Sequence, residues 1–231
     1  MDSLSTSESL LADGIIGPFP LSIESRKLLP LLSGLISNEA SLRNLHSKHR
    51  IVRSVVKDPN IVSLVANLFP GSYFLWRTNF FRRESGVMHL GVPLHHDKHF
   101  QSGDLSLDFY ELGSHLSLII SLDKIDESNG SFQYIPGSHY GSPEDFDRDR
   151  RPFESRPISD HFPSLPSSYV AKTRSLDLPY GSFCLFHSAL LHGSAPSQGL
   201  NGRTSMVARL VRSNCIIPAN CANSDDIFSY P

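Results

Sequence analysis

The sequence is poor in the features that mark secreted and membrane-spanning proteins. It contains only three cysteines in 231 residues, and no two of them have the spacing of a metal-binding pair. Such a sparse, odd set argues against a disulfide framework and is typical of a reducing compartment. The longest candidate for an apolar run, Leu116 to Leu122, is strand-sized and far shorter than the roughly 18 residues of a membrane span.

An excess of positive charge is also missing. The 21 Lys and Arg residues are balanced by 23 Asp and Glu residues, which gives a formal net charge of -2. Because phosphate binding requires clustered cations, we do not expect nucleic acid as a partner. Residues 1–14 contain no Lys or Arg, so neither a signal peptide nor a transit peptide is predicted, and the expected localisation is cytoplasmic.

The remaining composition is that of a globular protein, with 39% apolar and 19% charged residues. This length supports one sizeable core, so we expect a single domain over residues 1–231. Helical periodicity dominates residues 1–70, whereas residues 71–213 hold strand-sized runs separated by Gly, Pro, Asn and Asp. No strand alternates regularly with a long helix, which disfavours a doubly wound sheet. The predicted fold is therefore mainly β, a sandwich or barrel flanked by N-terminal helices.

Individual elements follow from local signals. Within the flank, residues 1–14 are expected to be frayed, and Pro30 limits the helix that the leucines of residues 22–35 predict. Asn38 predicts a helix start that continues through Leu45, and Asp58 predicts the start of another. Strands are predicted at residues 72–81, 117–122, 131–135, 182–186 and 206–211. The long, charged, proline-rich loop at residues 141–168 is a candidate lid.

One short segment concentrates residue types that bind metals. His95 and Asp97 point to the same side if the segment is extended, whereas His96 points away. His192 follows the strand-like run that ends at Phe186 and is the candidate for a third ligand. Two imidazoles and one carboxylate on one face leave coordination positions open and suit non-haem Fe(II).

A second pattern suits a carboxylate ligand. Arg203 and Ser205 share a face if they lie on a strand, and a guanidinium beside a hydroxyl can hold a carboxylate through two hydrogen bonds. Arg209 has the same strand parity and is the competing candidate. We prefer Arg203, since Arg209 lies further along the strand.

These two motifs and two segments between them resemble the phytanoyl-CoA dioxygenase family of Fe(II)- and 2-oxoglutarate-dependent oxygenases. The two segments are residues 129–131 (Asn-Gly-Ser) and 135–139 (Ile-Pro-Gly-Ser-His). The resemblance covers roughly residues 73–211. Residues 77–80 (Arg-Thr-Asn-Phe) and 116–117 (Leu-Ser) also resemble segments of ectoine hydroxylases, which belong to that family.

The resemblance implies a double-stranded β-helix, the cupin-like jelly roll, with the metal near one mouth of the barrel. It implies that His95, Asp97 and His192 bind Fe(II) and form the catalytic centre. The expected reaction is oxidation, by hydroxylation, of a small-molecule metabolite with O2, with succinate and CO2 as co-products. The loop segment at 135–139 is expected to be structural, with His139 outside the metal site.

The resemblance also implies a binding site for 2-oxoglutarate. Arg203, assisted by Ser205, is expected to pair with the far carboxylate of the cosubstrate. By the same comparison, Asn79 and Ser117 are expected to contact it. The candidates for the wall of the substrate pocket are five aromatic residues and one histidine near the motifs: Trp76, Phe80, His89, Phe100, Phe109 and Tyr110.

Two other functions stay open on the sequence. One is a cupin-like metalloenzyme that uses another divalent ion without 2-oxoglutarate, with His95, Asp97, His99 and His192 as ligands. The other is a non-catalytic barrel that binds a small molecule. The sequence predicts no oligomeric state and does not identify the substrate.

Overall fold

The computed structural model describes residues 6–97, 111–141, 165–216 and 228–230. The α-helices are α1 (Thr6–Asp13), α2 (Ile23–Ile36), α3 (Leu45–Lys48), α4 (Arg50–Val56), α5 (Pro59–Leu68) and α6 (Ser167–Val170). The strands are β1 (Ile15–Pro20), β2 (Tyr73–Arg83), β3 (Val92–His95), β4 (His115–Ser121), β5 (Phe132–Tyr134), β6 (Arg174–Leu176), β7 (Ser182–His187), β8 (His192–Ser194), β9 (Arg203–Arg212) and β10 (Phe228–Tyr230). A 3₁₀ turn covers Ser138–Tyr140. None of the helices in these ranges is long and apolar enough to cross a membrane.

The strands form two antiparallel sheets. The larger has the order β1-β7-β4-β9-β2-β10, and the smaller has the order β3-β8-β5-β6. Sequence neighbours are rarely sheet neighbours, as expected when a chain passes back and forth between the two sheets of a jelly roll. The prediction of a mainly β, jelly-roll fold with N-terminal helices is confirmed.

The larger sheet has a helix-facing side and an inner side, and strand alternation assigns each residue to one of them. On β4, Leu116, Leu118 and Ile120 join the core that includes the buried residues of α2, α4 and α5. Ile119 belongs instead to a second apolar cluster, shared with residues of the smaller sheet. The larger sheet is therefore covered on one side by helices, which leaves its inner side to form the site.

The N-terminal seventy residues contain more regular structure than the sequence indicated. Residues 6–13 form α1 rather than a frayed end. The flank also contributes β1, which pairs with β7 at the edge of the larger sheet. Helix α2 continues past Pro30, whose exposed position on the helix limits the cost of the lost hydrogen bond.

The helix predicted to start at Asn38 does not form before Leu45. The segment pairs with β2 instead: Phe80 donates its backbone N–H to the carbonyl of Leu42, and Asn44 donates to Thr78. Asn44 has a φ of 53°, a left-handed conformation that asparagine tolerates better than most residues and that no helix interior permits. Backbone pairing to the sheet therefore overrides the local helix signal.

Asp58 links the starts of two helices. Its Oδ1 accepts the N–H of Asn60 at 2.8 Å and caps α5, and its Oδ2 accepts the N–H of Ser22 at 2.9 Å, at the start of α2. Burial alone would raise the pKa of Asp58, but hydrogen bonds from the side chains of Ser22 and Ser25, together with these two N–H groups, hold it below its usual value. The carboxylate is therefore ionised in the folded protein and joins two elements of the helical layer.

We expect Asp58→Ala to lower the free energy of unfolding at pH 7 by about 1–3 kcal/mol, because it removes the buried carboxylate that accepts the N–H groups of Ser22 and Asn60. The folded-state pKa is depressed, so this stabilisation is present above the unfolded-state pKa of about 4 and is lost as the pH falls below it. Denaturant unfolding at pH 7 and pH 3 measures both effects. Glu24→Ala, an exposed change in α2, is the control; equal stability of the two variants at pH 7 would contradict the linking role of Asp58.

Candidate metal centre

Two strands of the smaller sheet bring the predicted ligands together. His95 ends β3 and His192 begins β8, and the two residues are direct partners in the antiparallel register. Asp97 follows two residues after His95. One ligand atom from each of the three lies within 4.8 Å of the other two, and all three side chains are buried. Among the described residues, no other group of three or more His, Cys, Asp or Glu side chains has this geometry.

Each histidine is oriented by a backbone carbonyl. His95 Nδ1 lies 2.8 Å from the oxygen of Pro93, and His192 Nδ1 lies 2.9 Å from the oxygen of Leu190. A carbonyl can only accept, so Nδ1 carries the proton and Nε2 keeps its lone pair for a metal. Burial, with the neighbouring His192, lowers the pKa of His95 to about 3, and burial also lowers the pKa of His192. Both rings are therefore neutral at neutral pH, which is the metal-binding form.

Polar neighbours fix the carboxylate of Asp97. Its Oδ2 accepts a hydrogen bond of 2.6 Å from Ser117, its Oδ1 accepts one from Nη2 of Arg209, and its backbone N–H donates to Ser188. Burial alone would raise the pKa of Asp97, but the charge of Arg209, with the hydrogen bonds from Arg209 and Ser117, holds it well below its usual range. Asp97 is therefore ionised and offers a carboxylate oxygen beside the two imidazoles.

This donor set fits a divalent ion that accepts nitrogen and oxygen ligands. Two neutral imidazoles and one carboxylate match the facial arrangement typical of non-haem Fe(II). His96 is buried but is not part of the group, as the strand parity predicted. His99, a ligand in the alternative metalloenzyme hypothesis, lies outside the described residues. His139 is also separate: its Nε2 donates to the carbonyl of Leu11, consistent with the predicted structural role.

An apolar wall adjoins the metal group. The rings of Phe132 and Phe186 lie 5.7 and 4.7 Å from the ring of His192, measured between centroids. Ile119 and Val207, which are register partners on β4 and β9, continue the same buried cluster. These side chains keep water away from the inner side of the barrel, which strengthens electrostatic interactions there.

The predicted carboxylate-binding pair lies on the same inner side. Arg203 is buried; its Nη1 donates to Ser205 Oγ at 3.3 Å, and its Nε donates to the carbonyl of Asn129 at 3.0 Å. Arg209, the competing candidate, lies six residues further along β9 and contacts Asp97. The two arginines therefore occupy opposite ends of the site, with Arg209 at the metal group.

The two remaining predicted cosubstrate contacts have different surroundings. Asn79 is the register partner of Val207, so it lies on the inner side, and its buried Oδ1 has no hydrogen-bond partner among the described residues. Ser117 lies at the metal end and donates to Asp97. Its position suggests that it orients a ligand residue, a role that the sequence did not reveal.

The structure corrects one residue of the predicted pocket wall. Phe80 packs into the helix-facing core, so its assignment to the pocket is wrong, because strand alternation turns it away from the inner side. Trp76 is buried, with 1% of its surface exposed. Phe100, Phe109, Tyr110 and nearly all of the candidate lid at residues 141–168 lie outside the described residues.

Sequence reasoning missed one further arginine. Arg83 is buried at the end of β2 and is the register partner of Arg203. It has the same strand parity as Asn79, so the period of two along β2 was the signal that could have identified it.

Comparison with known proteins agrees with this geometry. The family model described as "Phytanoyl-CoA dioxygenase (PhyH)" matches residues 35–205. No curated protein sequence gives a significant match.

Solved structures with the same fold share little sequence with the chain. The carbocyclase SnoK from nogalamycin biosynthesis is 17% identical, with a TM-score of 0.74 over 96% of this chain and 88% of that one. The epimerase SnoN, in complex with Fe3+, alpha ketoglutarate and nogalamycin RO, is 16% identical, with a TM-score of 0.71 over 92% and 84%. CytC3 with Fe(II) and alpha-ketoglutarate is 17% identical, with a TM-score of 0.67 over 94% and 80%. The predicted cofactors, iron and 2-oxoglutarate, are those of the last two structures.

We expect a graded loss of Fe(II) binding across a series of variants. His95→Ala, Asp97→Ala and His192→Ala should each abolish tight binding, because each removes a ligand. Ser117→Ala should weaken the affinity about tenfold, because it removes only a hydrogen bond to the Asp97 ligand. Anaerobic titration with Fe(II), followed by metal analysis of the desalted protein, measures both effects.

The matched control is His96→Gln, which changes the adjacent buried histidine and should leave one iron per chain. Stoichiometric iron in any of the three ligand variants would remove that residue from the site. An unchanged iron affinity in Ser117→Ala, with a weaker affinity for 2-oxoglutarate, would instead support the predicted contact between Ser117 and 2-oxoglutarate.

Proposed function

Because the chain belongs to the phytanoyl-CoA dioxygenase family, we propose that it is a non-haem Fe(II)- and 2-oxoglutarate-dependent dioxygenase. In this proposal the chain folds as one domain and hydroxylates a small-molecule metabolite, with succinate and CO2 as co-products. The observation that carries the proposal is the shared inner side of the barrel, which holds both the metal group and the Arg203–Ser205 pair.

At the metal end, the residues of the protein would hold the ion and orient the side chains that bind it. His95 and His192 would bind the ion through Nε2, because their Nδ1 protons are held by backbone carbonyls. Asp97 would supply the third ligand, with its direction set by Ser117 and Arg209. The bound iron and 2-oxoglutarate would supply the oxidising chemistry with O2, while the residues around them exclude water.

At the other end, Arg203 would bind the far carboxylate of 2-oxoglutarate. Its guanidinium is buried and is directed by hydrogen bonds to Ser205 and Asn129. A charge-assisted hydrogen bond in such a water-poor setting is strong and directional. The apolar wall between the two ends suits the methylene groups of a five-carbon diacid.

The proposed outcome is hydroxylation because Asp97 completes a set of three protein ligands. An intact carboxylate leaves no protein-ligand position free for a halide. The similar structures include an epimerase and a carbocyclase, so the same fold supports other reactions in those proteins. In this chain the way in which the substrate is held would decide the product.

We expect Arg203→Ala to raise the 2-oxoglutarate concentration for half-maximal succinate formation by about tenfold or more, because it removes charge-assisted hydrogen bonds to the carboxylate. Iron stoichiometry should not change. Mass-spectrometric assay of succinate, formed with Fe(II) in air, measures the effect.

Arg82→Ala is the control, since Arg82 precedes Arg83 on β2 but is exposed. An unchanged requirement in Arg203→Ala would favour Arg209 as the carboxylate partner. If the wild-type protein forms no more succinate than His95→Ala, the proposed function is wrong.

A further inference from the structure

Arg83 places a second guanidinium beside Arg203. Both side chains donate to the same backbone oxygen: Nη1 of Arg83 lies 2.9 Å from the carbonyl oxygen of Asn129, and Nε of Arg203 lies 3.0 Å from it. Arg83 also reaches across to the smaller sheet, where its Nη2 donates to Ser194 Oγ at 2.7 Å. The two cations therefore lie side by side between the sheets.

The chain leaves room for this arrangement at Gly130. A Cβ atom at this position would lie 1.8 Å from Nη1 of Arg83, so no residue with a side chain fits without displacing the guanidinium. Gly130 also has a φ of +91°, which disfavours other residues independently. The glycine of the Asn-Gly-Ser segment thus has a packing role that is tied to Arg83.

No carboxylate balances the two charges within the described residues. The ion pairs found there include neither Arg83 nor Arg203. Burial, with the neighbouring charge of Arg83, lowers the pKa of Arg203 to about 10, and burial lowers the pKa of Arg83. Both groups stay charged at neutral pH, and two buried cations side by side are unfavourable without an anion.

The known hydrogen bonds do not use all the donors of this pair. A guanidinium has five N–H groups, and Nη2 of Arg203 donates to none of the described residues. The partners of the pair are backbone carbonyls and serine hydroxyls, which orient the groups without neutralising them. An anionic ligand group would complete both the charge balance and the hydrogen bonds.

We propose that Arg83 is a second carboxylate-binding residue, which acts with Arg203 to select a 2-oxo acid that carries a distal carboxylate. This inference rests on the proposed function and assigns a residue to the far end of the same site. Arg83 and Arg203 form a pair of guanidiniums around the distal carboxylate. A 2-oxo acid without that group leaves the two cations uncompensated and binds more weakly.

The test compares two ligands of equal length on Fe(II)-loaded protein without oxygen. Isothermal titration calorimetry measures the affinity for 2-oxoglutarate and for 2-oxopentanoate, which has five carbons and the same 2-oxo acid end but no distal carboxylate. Arg83→Met should weaken 2-oxoglutarate binding about tenfold or more and leave 2-oxopentanoate binding within about twofold. Arg82→Met, the exposed neighbour, should change neither.

Each outcome separates the inference from its premise. If wild-type protein binds iron but not 2-oxoglutarate, the proposed function fails. If the wild type binds 2-oxoglutarate and Arg83→Met weakens both ligands equally, or neither, Arg83 is only structural and the inference is overturned.

A conservative variant covers the case in which Arg83→Met does not fold. Arg83→Lys keeps the charge but loses the planar fork, so it should weaken 2-oxoglutarate binding by a smaller factor and leave 2-oxopentanoate binding unchanged. An equal loss for both ligands in Arg83→Lys would overturn the inference in the same way.

Discussion

The register pairing of His95 with His192 is the contact on which the candidate site depends. It joins the end of β3 to the start of β8 and sets the two imidazoles side by side, with ring centroids 4.5 Å apart. Asp97 is placed by the same segment and is fixed by its N–H bond to Ser188. A slip of one residue in this pairing would turn a histidine to the other face and separate the ligands.

A second constraint is electrostatic. Three buried arginines, Arg83, Arg203 and Arg209, lie on the inner side of the barrel. Among the described candidate metal ligands, Asp97 is the one carboxylate. Arg209 is paired with Asp97, whereas the other two arginines have no acidic partner in the described ranges. Both unpaired arginines are buried, so an anion has more binding energy to gain there than at the surface. The same feature accounts for the choice of a dicarboxylate cosubstrate in the proposed function.

The sequence predicted five of the ten described strands, together with the candidate ligand set, because these depend on short, regular patterns. The period of two placed His95 with Asp97, and Arg203 with Ser205, without knowledge of the fold. It did not predict the segment before α3, where pairing with β2 replaces a helix, or the contacts of Ser117 and Arg209 with Asp97. These features join residues 20 or more positions apart, so they arise from the packing of strands rather than from local preference.

The central claim is that one inner surface holds Fe(II) and 2-oxoglutarate together. The most direct measurement is the visible absorption spectrum of metal-free protein to which Fe(II) and then 2-oxoglutarate are added without oxygen. The account predicts a saturable metal-to-ligand charge-transfer band that needs both additions. Folded, iron-bound protein that gives no band with 2-oxoglutarate would contradict the account and favour a metalloenzyme of another kind.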